Sequence, residues 1–240
     1  MSDALELSLV IPAKNEVESL PALLTELRAM LAGFPARAEI IVVDDGSSDG
    51  SSELLRREAI GDPRLRVVTL ARSVGQSGAL AAGFSRVRGN VVVTMDADLQ
   101  NDPADVPRLI AALEGADVVS GVRRDRHDTW VRRVSSKIAN GTRRAVLGDR
   151  IHDIGCSLKA YRRETLQGLP MFATAHRFLP ALCQFRGARV REIDVTHRPR
   201  TRGQSKYGVA NRLGRGLADL IGVRWLRSRL LPPIEILRDD

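Results

Sequence analysis

The 240-residue sequence predicts an α/β fold: a largely parallel sheet with helices on both faces, followed by an amphipathic C-terminal helix. Three observations predict it. Short β-branched runs alternate with segments of helical period through the first half of the chain. The runs are mostly apolar, as buried strands are. The acidic and glycine-rich loops all follow strands, and in such sheets ligands bind beyond the strands' carboxyl ends.

The elements follow in order. Leu7–Ile11 reads as a strand ended by Pro12, with Ala13–Glu16 as a loop. Ser19-Leu20-Pro21 opens a helix, Leu20, Leu23, Leu24, Leu27, Met30 and Leu31 keep its spacing, and Gly33 ends it. Glu39–Val43 is a second strand, and Asp44–Gly50 is a polar turn at its end. Ser51–Ala59 is a helix, Leu65–Leu70 a strand, and Gln76–Val87 a helix rich enough in Ala and Gly to pack closely. Val91–Met95 is a strand entered from Gly89-Asn90, Pro103–Leu113 a helix, and Asp117–Val122 a strand. Ile154–Tyr161 reads as a short strand returning to the sheet, Phe178–Phe185 as a helix, and Val190–His197 as an edge strand. Arg198–Lys206 is a basic loop, and Val209–Leu231 a helix stopped by Pro232-Pro233, with Leu213, Leu217, Leu220, Ile221, Trp225 and Leu226 among five arginines. The expected division is a domain over 1–208, with halves 1–122 and 123–208, and a basic tail over 209–240.

The net charge of +8 is divided unevenly. Residues 1–122 carry 11 Lys/Arg and 18 Asp/Glu, a balance of −7; residues 123–240 carry 26 and 11, a balance of +15. A basic half suggests an anionic partner. That partner is a phosphate, an acidic membrane or nucleic acid; against the last, aromatic residues make up only 4% of the chain and an acidic crevice would repel its backbone. Cys156 and Cys183 have no metal-type spacing and read as reduced thiols in a cytosolic protein. No signal peptide is expected, and no run approaches the ~20 apolar residues of a spanning helix.

The chemistry concentrates at two strand ends. Asp96 and Asp98 would point to one face if the strand continued that far. Paired carboxylates there suit a hard divalent cation shared with a phosphate, and Gln100 adds a neutral oxygen. In Asp44-Asp45-Gly46-Ser47-Ser48-Asp49-Gly50, one carboxylate could accept from a base or ribose and the other orient the metal region, or the run could be an Asx-rich turn capping the next helix; both can hold together. The Pro12–Glu16 loop could close over the same nucleotide, although it carries no GxGxxG fingerprint. His127, His152, His176 and His197 read as surface or core histidines.

Motifs in order then carry a resemblance. They are Ser8–Glu16, Val42–Asp49, Gly75-Gln76 with Gly83-Phe84, Met95–Pro103, Gly121-x-Arg123 with Asp125 and Arg126, Asp153–Lys159 with Tyr161-Arg162, and Arg200-x-x-Gly203-x-Ser205-Lys206-Tyr207. Over about residues 7–230 the chain resembles the inverting family 2 glycosyltransferases of GT-A, Rossmann-like fold, and within them the polyprenyl-phosphate sugar transferases. The resemblance implies a nucleotide site at Pro12, Lys14, Glu16, Val43, Asp44, Asp45, Asp96 and Ala97. It implies Mg²⁺ or Mn²⁺ on Asp96, Asp98 and Gln100. It implies acceptor-phosphate contacts from Arg123, Arg126, Ser205 and Lys206, and catalytic roles for Asp98, Arg123, Arg200 and Lys206. Lys14 and Ser73 depart from the Tyr and Asn common in relatives, and the paired C-terminal membrane helices of many relatives are not in this sequence.

The expected function is inverting transfer of a sugar from a nucleotide-sugar to a polyprenyl phosphate at the cytoplasmic membrane face. The expected partners include an anionic membrane surface, with room for a small membrane protein, and Trp130 and Trp225 as interfacial anchors. The alternatives are a transferase with a non-lipid acceptor, a nucleotidyltransferase, and a basic nucleic-acid-binding module.

Overall fold

The computed structural model describes residues 6–34, 37–123, 141–199 and 210–230, with backbone alone for 210–217. Seven strands form one sheet: β1 (Leu7–Ala13), β2 (Ala38–Asp44), β3 (Leu65–Thr69), β4 (Val91–Thr94), β5 (Val118–Arg123), β6 (Lys159–Arg162) and β7 (Val190–Val195). Their order is β3-β2-β1-β4-β6-β5-β7. β1 runs parallel to β2 and β4, β2 to β3, and β5 to β7; β6 is antiparallel to both β4 and β5. The sheet is therefore mostly parallel, and β7 is an edge as expected.

Alternation along β1 builds both faces. Leu7, Leu9 and Ile11 are buried with the leucines of α1 (Leu20–Ala32), Leu55 of α2 (Ser51–Ile60) and Leu109 of α4 (Val106–Ala111). Val10 points the other way, to Leu80 of α3 (Gly75–Phe84), to Phe178, Leu179 and Leu182 of α7 (Ala175–Phe185), and to Leu220 and Val223 of α8 (Ala210–Arg227). A Cβ on Gly83 would collide with the Val10 side chain, which is why α3 can lie so close to the sheet. Short helices α5 (141–147) and α6 (Arg163–Leu166) complete the set.

Several elements differ from expectation. The helix expected over Pro103–Leu113 is a 3-10 turn, Pro103–Asp105, followed by α4. Asp102 accepts from the Ala104 N–H and starts the turn, and Pro107 lacks the N–H to continue it as one helix. The returning strand is Lys159–Arg162 rather than Ile154–Tyr161, because the residues before it form a turn on Asp153. β4 ends at Thr94, before the acidic pair. The expected features at Arg126, Trp130, Arg200, Ser205 and Lys206 lie outside the described residues.

One buried acid ties four segments together. Glu39 of β2 is 1% exposed. It accepts from Ser8 Oγ of β1 (2.7 Å), Arg66 Nη1 of β3 (2.7 Å), and the Arg88 N–H and Nε ahead of β4 (2.8 and 3.0 Å). Burial alone would raise its pKa, but these donors outweigh that and hold it below the usual glutamate value of 4.5. A depressed carboxylate stabilises the fold above its unfolded pKa and stops doing so as pH falls through the folded one. Glu39→Gln should cost about 1–2 kcal/mol at pH 7, discounted because both arginines are partly solvated. In urea unfolding the gap from wild type should narrow steadily as pH is lowered through the carboxylate range.

Candidate functional site

The parallel strands leave their carboxyl ends on one edge, and the acids stand there. β1 and β2 are in register to their last residues, Ala13 opposite Asp44. Pro12 and Val43 face each other one step earlier, Val43 buried and Pro12 partly exposed. The loops beyond are stitched to each other. Asp45 N–H donates to Ala13 O (2.8 Å), Asn15 N–H to Ser47 Oγ (2.9 Å), Ser48 N–H to Asn15 Oδ1 (2.8 Å), and Glu16 N–H to Ser51 Oγ (3.0 Å). The Glu16 carboxylate accepts from Ser19 Oγ, and Lys14 is exposed at the rim. Gly46 sits at φ +67°, where a Cβ would lie 2.9 Å from the Ser73 nitrogen, so only glycine lets the loop approach residues 72–73.

Asp44 and Asp45 are both buried and divide the work. Asp44 accepts from the Ser47 N–H (3.0 Å) and from Ser52 Oγ, and Asp49 from the Ser51 N–H (3.0 Å), while Gly50 stands at the N-cap of α2 in place of the Ser47, Ser48 or Asp49 cap expected. Asp45 turns to the start of α3 and accepts from Ser73 Oγ (2.7 Å), Val74 N–H (2.7 Å) and Gly75 N–H (2.9 Å). The next residue, Gln76, donates through Nε2 to Asp96 Oδ1 (2.7 Å). The two acidic loops thus meet through the first turn of α3.

The acidic pair lies in a bent loop, not in an extended strand. Asp96 N–H donates to Asn101 Oδ1 (3.1 Å), Gln100 N–H to Asp98 Oδ1 (3.2 Å), and Leu99 between them sits at φ +62°. That is a strained region for a leucine, and Leu99 is held there by packing against the core. Burial pushes the Asp96 carboxyl up to about 6, the Asp98 charge adds to the rise, and Ser157, Lys159 and Arg123 oppose it. An acid whose ionisation is disfavoured by burial and by a neighbouring carboxylate fits a divalent cation, which would relieve both burdens on Asp96. Among the described residues no three His, Cys, Asp or Glu side chains gather around one point, so other oxygens would complete such a cation's shell.

Across the crevice, Arg123 ends β5 and is turned to Asp153 rather than outward. Nε and Nη2 meet the two carboxylate oxygens at 2.8 and 2.9 Å, and both side chains are nearly buried. Burial alone would lower the guanidinium pKa, but Asp153 raises it. Gly155 leaves room for this fork: a Cβ there would lie 2.7 Å from Nη2. Asp153 had no assigned partner in the sequence, because the two residues are far apart in it.

Three groups at this edge carry no role in the sequence reading. Lys159, 3% exposed, lies opposite both Thr94 and Ser120 and donates from Nζ to His176 O (3.2 Å). His176, in the first turn of α7, pairs through Nδ1 with Ser77 Oγ of α3 (2.8 Å). Lys159 closes a quoted motif, which was a usable signal; the lone His176 and Ser77 gave none.

Known proteins resemble this chain in sequence and in fold. The family model described as Glycosyl transferase family 2 matches residues 8–169. The chain is 42% identical over 204 residues to undecaprenyl-phosphate 4-deoxy-4-formamido-L-arabinose transferase of Aeromonas hydrophila, covering 84% of this chain and 63% of that one. It is 39% identical over 229 residues to dodecaprenyl-phosphate galacturonate synthase of Rhizobium johnstonii, covering 92% and 67%. The chain thus spans less than two thirds of the length of the first of these relatives. Glucosyl-3-phosphoglycerate synthase of Mycobacterium tuberculosis, crystallised with Mn²⁺, UDP and phosphoglyceric acid, superposes with a TM-score of 0.68 at 24% identity, covering 94% of this chain and 79% of that one. The mannosyltransferase PcManGT of Pyrobaculum calidifontis, with GDP-Man and Mn²⁺, gives 0.67 at 20% identity, covering 95% and 66%. These two show the fold.

The Arg123–Asp153 pair yields a prediction. Removing one partner of a nearly buried pair strands the other charge. Asp153→Asn should lower the unfolding free energy by about 3 kcal/mol, read from urea denaturation. An effect below a few tenths of that would show the pair to be solvated.

Proposed function

The chain belongs to glycosyl transferase family 2, and on that footing we propose that it moves a sugar from a nucleotide-diphosphate sugar to a polyprenyl phosphate with inversion. One observation carries the reading: the Asp44–Asp45 loop and the Asp96–Asp98 loop meet at one crevice through Asp45–Gly75 and Gln76–Asp96. The names of the similar polyprenyl-phosphate relatives supply the acceptor.

The roles follow from the chemistry. The β1 and β2 loops, with Pro12, Lys14, Glu16, Val43, Asp44 and Asp45, take the nucleoside; Asp96 and Ala97 lie under its diphosphate. A phosphate oxygen of the acceptor attacks the anomeric carbon as the bond to the diphosphate oxygen breaks on the opposite face. Negative charge passes from the acceptor phosphate to the leaving diphosphate. The acceptor is already ionised near neutral pH, so it needs positioning rather than a general base. Asp96, Asp98 and Gln100 would hold Mg²⁺ or Mn²⁺, which supplies Lewis-acid stabilisation of the leaving charge. Arg123 retains the outer guanidinium N–H groups not used by Asp153, and Arg126, Arg200, Ser205 and Lys206 complete the acceptor side of the proposal.

The domain proposal keeps 1–208 as the catalytic unit, with 209–240 as a basic tail at the cytoplasmic membrane face. No described helix is long and apolar enough to cross a membrane. On α8, Ile221 and Trp225 are 63% and 62% exposed and one turn apart, which supports an interfacial role. Not all of its arginines are available to lipid. Arg224 and Arg227 donate to the last carbonyls of α5, Val146 O and Leu147 O.

Three measurements test the proposal. With radiolabelled donor and polyprenyl phosphate, label should move into the organic phase; label that stays in a water-soluble product would favour a non-lipid acceptor. Asp98→Asn should abolish turnover at saturating donor and Mg²⁺ while the thermal unfolding curve stays that of wild type. Sedimentation with anionic liposomes should be largely reversed by salt, because screening shortens the reach of the charges, and should weaken in Trp225→Ala. Equal, salt-indifferent binding to neutral liposomes would remove the membrane part of the reading.

A further inference from the structure

The strand order ranks the groups along the crevice. Neighbouring strands lie about 4.8 Å apart. Asp44 ends β2, Asp96 follows β4 two strands on, Lys159 opens β6 on the next, and Arg123 ends β5 beyond it. A nucleotide-sugar is an extended molecule with the same order of parts. With its nucleoside on the β1 and β2 loops and its diphosphate at Asp96 and Asp98, its sugar lies over β6, between Asp96 and Arg123. This placement rests on the function proposed above.

Lys159, His176 and Ser77 stand at that place, and the chemistry described so far uses none of them. Their hydrogen bonds fix the imidazole. His176 N–H donates to Ser77 Oγ at 3.1 Å. Ser77 Oγ also lies 2.8 Å from Nδ1. Its hydroxyl keeps a hydrogen that can be given to Nδ1, and in that tautomer the ring proton is on Nε2. Burial lowers the imidazole pKa to about 3, and Lys159 and Arg177 push the same way, so the ring is neutral and has one nitrogen free to donate. Lys159 holds the His176 carbonyl from below, and among the described residues no carboxylate pairs with it. Thr174, just ahead of α7, sits at φ +74°, an unusual conformation for a β-branched residue and one that sets how α7 begins. His176 itself is partly exposed at the rim. A neutral, partly exposed imidazole held at Nδ1 by Ser77, beside a strained turn, is suited to hydrogen-bond a hydroxyl through Nε2.

We propose that His176 donates a hydrogen bond from Nε2 to a hydroxyl of the transferred sugar, and that Ser77 and Lys159 are the positioning residues that aim it.

The test compares binding of nucleotide-sugar with binding of the matching nucleotide diphosphate. UDP with UDP-glucose and UDP-galacturonate, and GDP with GDP-mannose, each with Mn²⁺, serve as probes by calorimetry. The ratio of the two affinities isolates the sugar from the nucleotide. In His176→Ala the ratio should fall about three- to tenfold, the size of one lost hydrogen bond, with nucleotide affinity unchanged. His176→Gln, which restores an N–H donor and preserves polarity, should recover part of it. Ser77→Ala should lower the ratio less, and in both Ala variants the donor KM or kcat should change while the acceptor KM stays at the wild-type value. A wild-type ratio with wild-type donor kinetics in His176→Ala would overturn the assignment. So would an equal loss for nucleotide and nucleotide-sugar, which marks a merely structural residue. If His176→Ala fails to fold, His176→Gln and Ser77→Ala decide by the same ratio. A wild-type protein that binds no nucleotide or nucleotide-sugar would instead defeat the proposed function, and this inference with it.

Discussion

The carboxylate of Asp45 is the interaction on which the rest of the edge depends. It accepts from Ser73, Val74 and Gly75, and so holds the first turn of α3 against the end of β2. That turn then delivers Gln76 to Asp96 and Ser77 to His176. Hydrogen bonds to a charged acceptor are worth about 1.5–3 kcal/mol each, so the three together are of the size needed to offset the ordering of one short turn. Two carboxylate oxygens offer about four acceptor positions. Three are taken, which leaves room for a ribose hydroxyl without releasing α3. The anchoring task and the proposed nucleotide task are therefore compatible in one side chain.

The sequence made the parallel part of the fold readable for a physical reason. Strands covered on both faces are largely apolar, so β1, β2 and β4 stand out through runs such as Ile40–Val43, and the acids Asp44, Asp45, Asp96 and Asp98 gather where the strands end. β6 was harder to read. It is four residues long, and it reverses direction between β4 and β5 through pairings with residues far away in sequence. Asp96 and Asp98 come near each other for another reason than the one the sequence suggests. Alternation in an extended strand was expected to bring Asp96 and Asp98 together, whereas the strand stops at Thr94 and a bend through Leu99 sets them. Arg123 was legible as a cation at a strand end, but its bond to Asp153 was not, because nothing local announces a partner 30 residues on.

The charge split has a similar double meaning. A basic second half reads as a surface for anions, yet part of its charge is used inside the protein. Arg123 answers Asp153, Arg143 lies buried beside Asp149, and Arg224 and Arg227 close the end of α5. Cations at a helix C-terminus meet its unpaired carbonyls and its dipole together. These arginines tie α8 to the sheet-bearing domain. The exposed pair Ile221 and Trp225 is thereby carried on a helix whose other side, through Leu220 and Val223, is fastened to the core.

The electrostatics of the crevice explain why its cations are buried rather than free. Asp96 faces two penalties in ionising, loss of water and the charge of Asp98. Lys159 and Arg123 oppose both, but neither makes an ion pair with Asp96 among the described residues. A direct pair would fill the acid's coordination sites and exclude another cation. Cations held one layer back, by His176 O and by Asp153, stabilise the carboxylate through the field alone and take up none of its oxygens, of which Oδ1 already accepts from Gln76 Nε2. They also remain in place when a diphosphate arrives, because the protein rather than the ligand fixes them. Such a background favours negative charge at the edge before substrate binds, and it needs no rearrangement when charge builds on a leaving group.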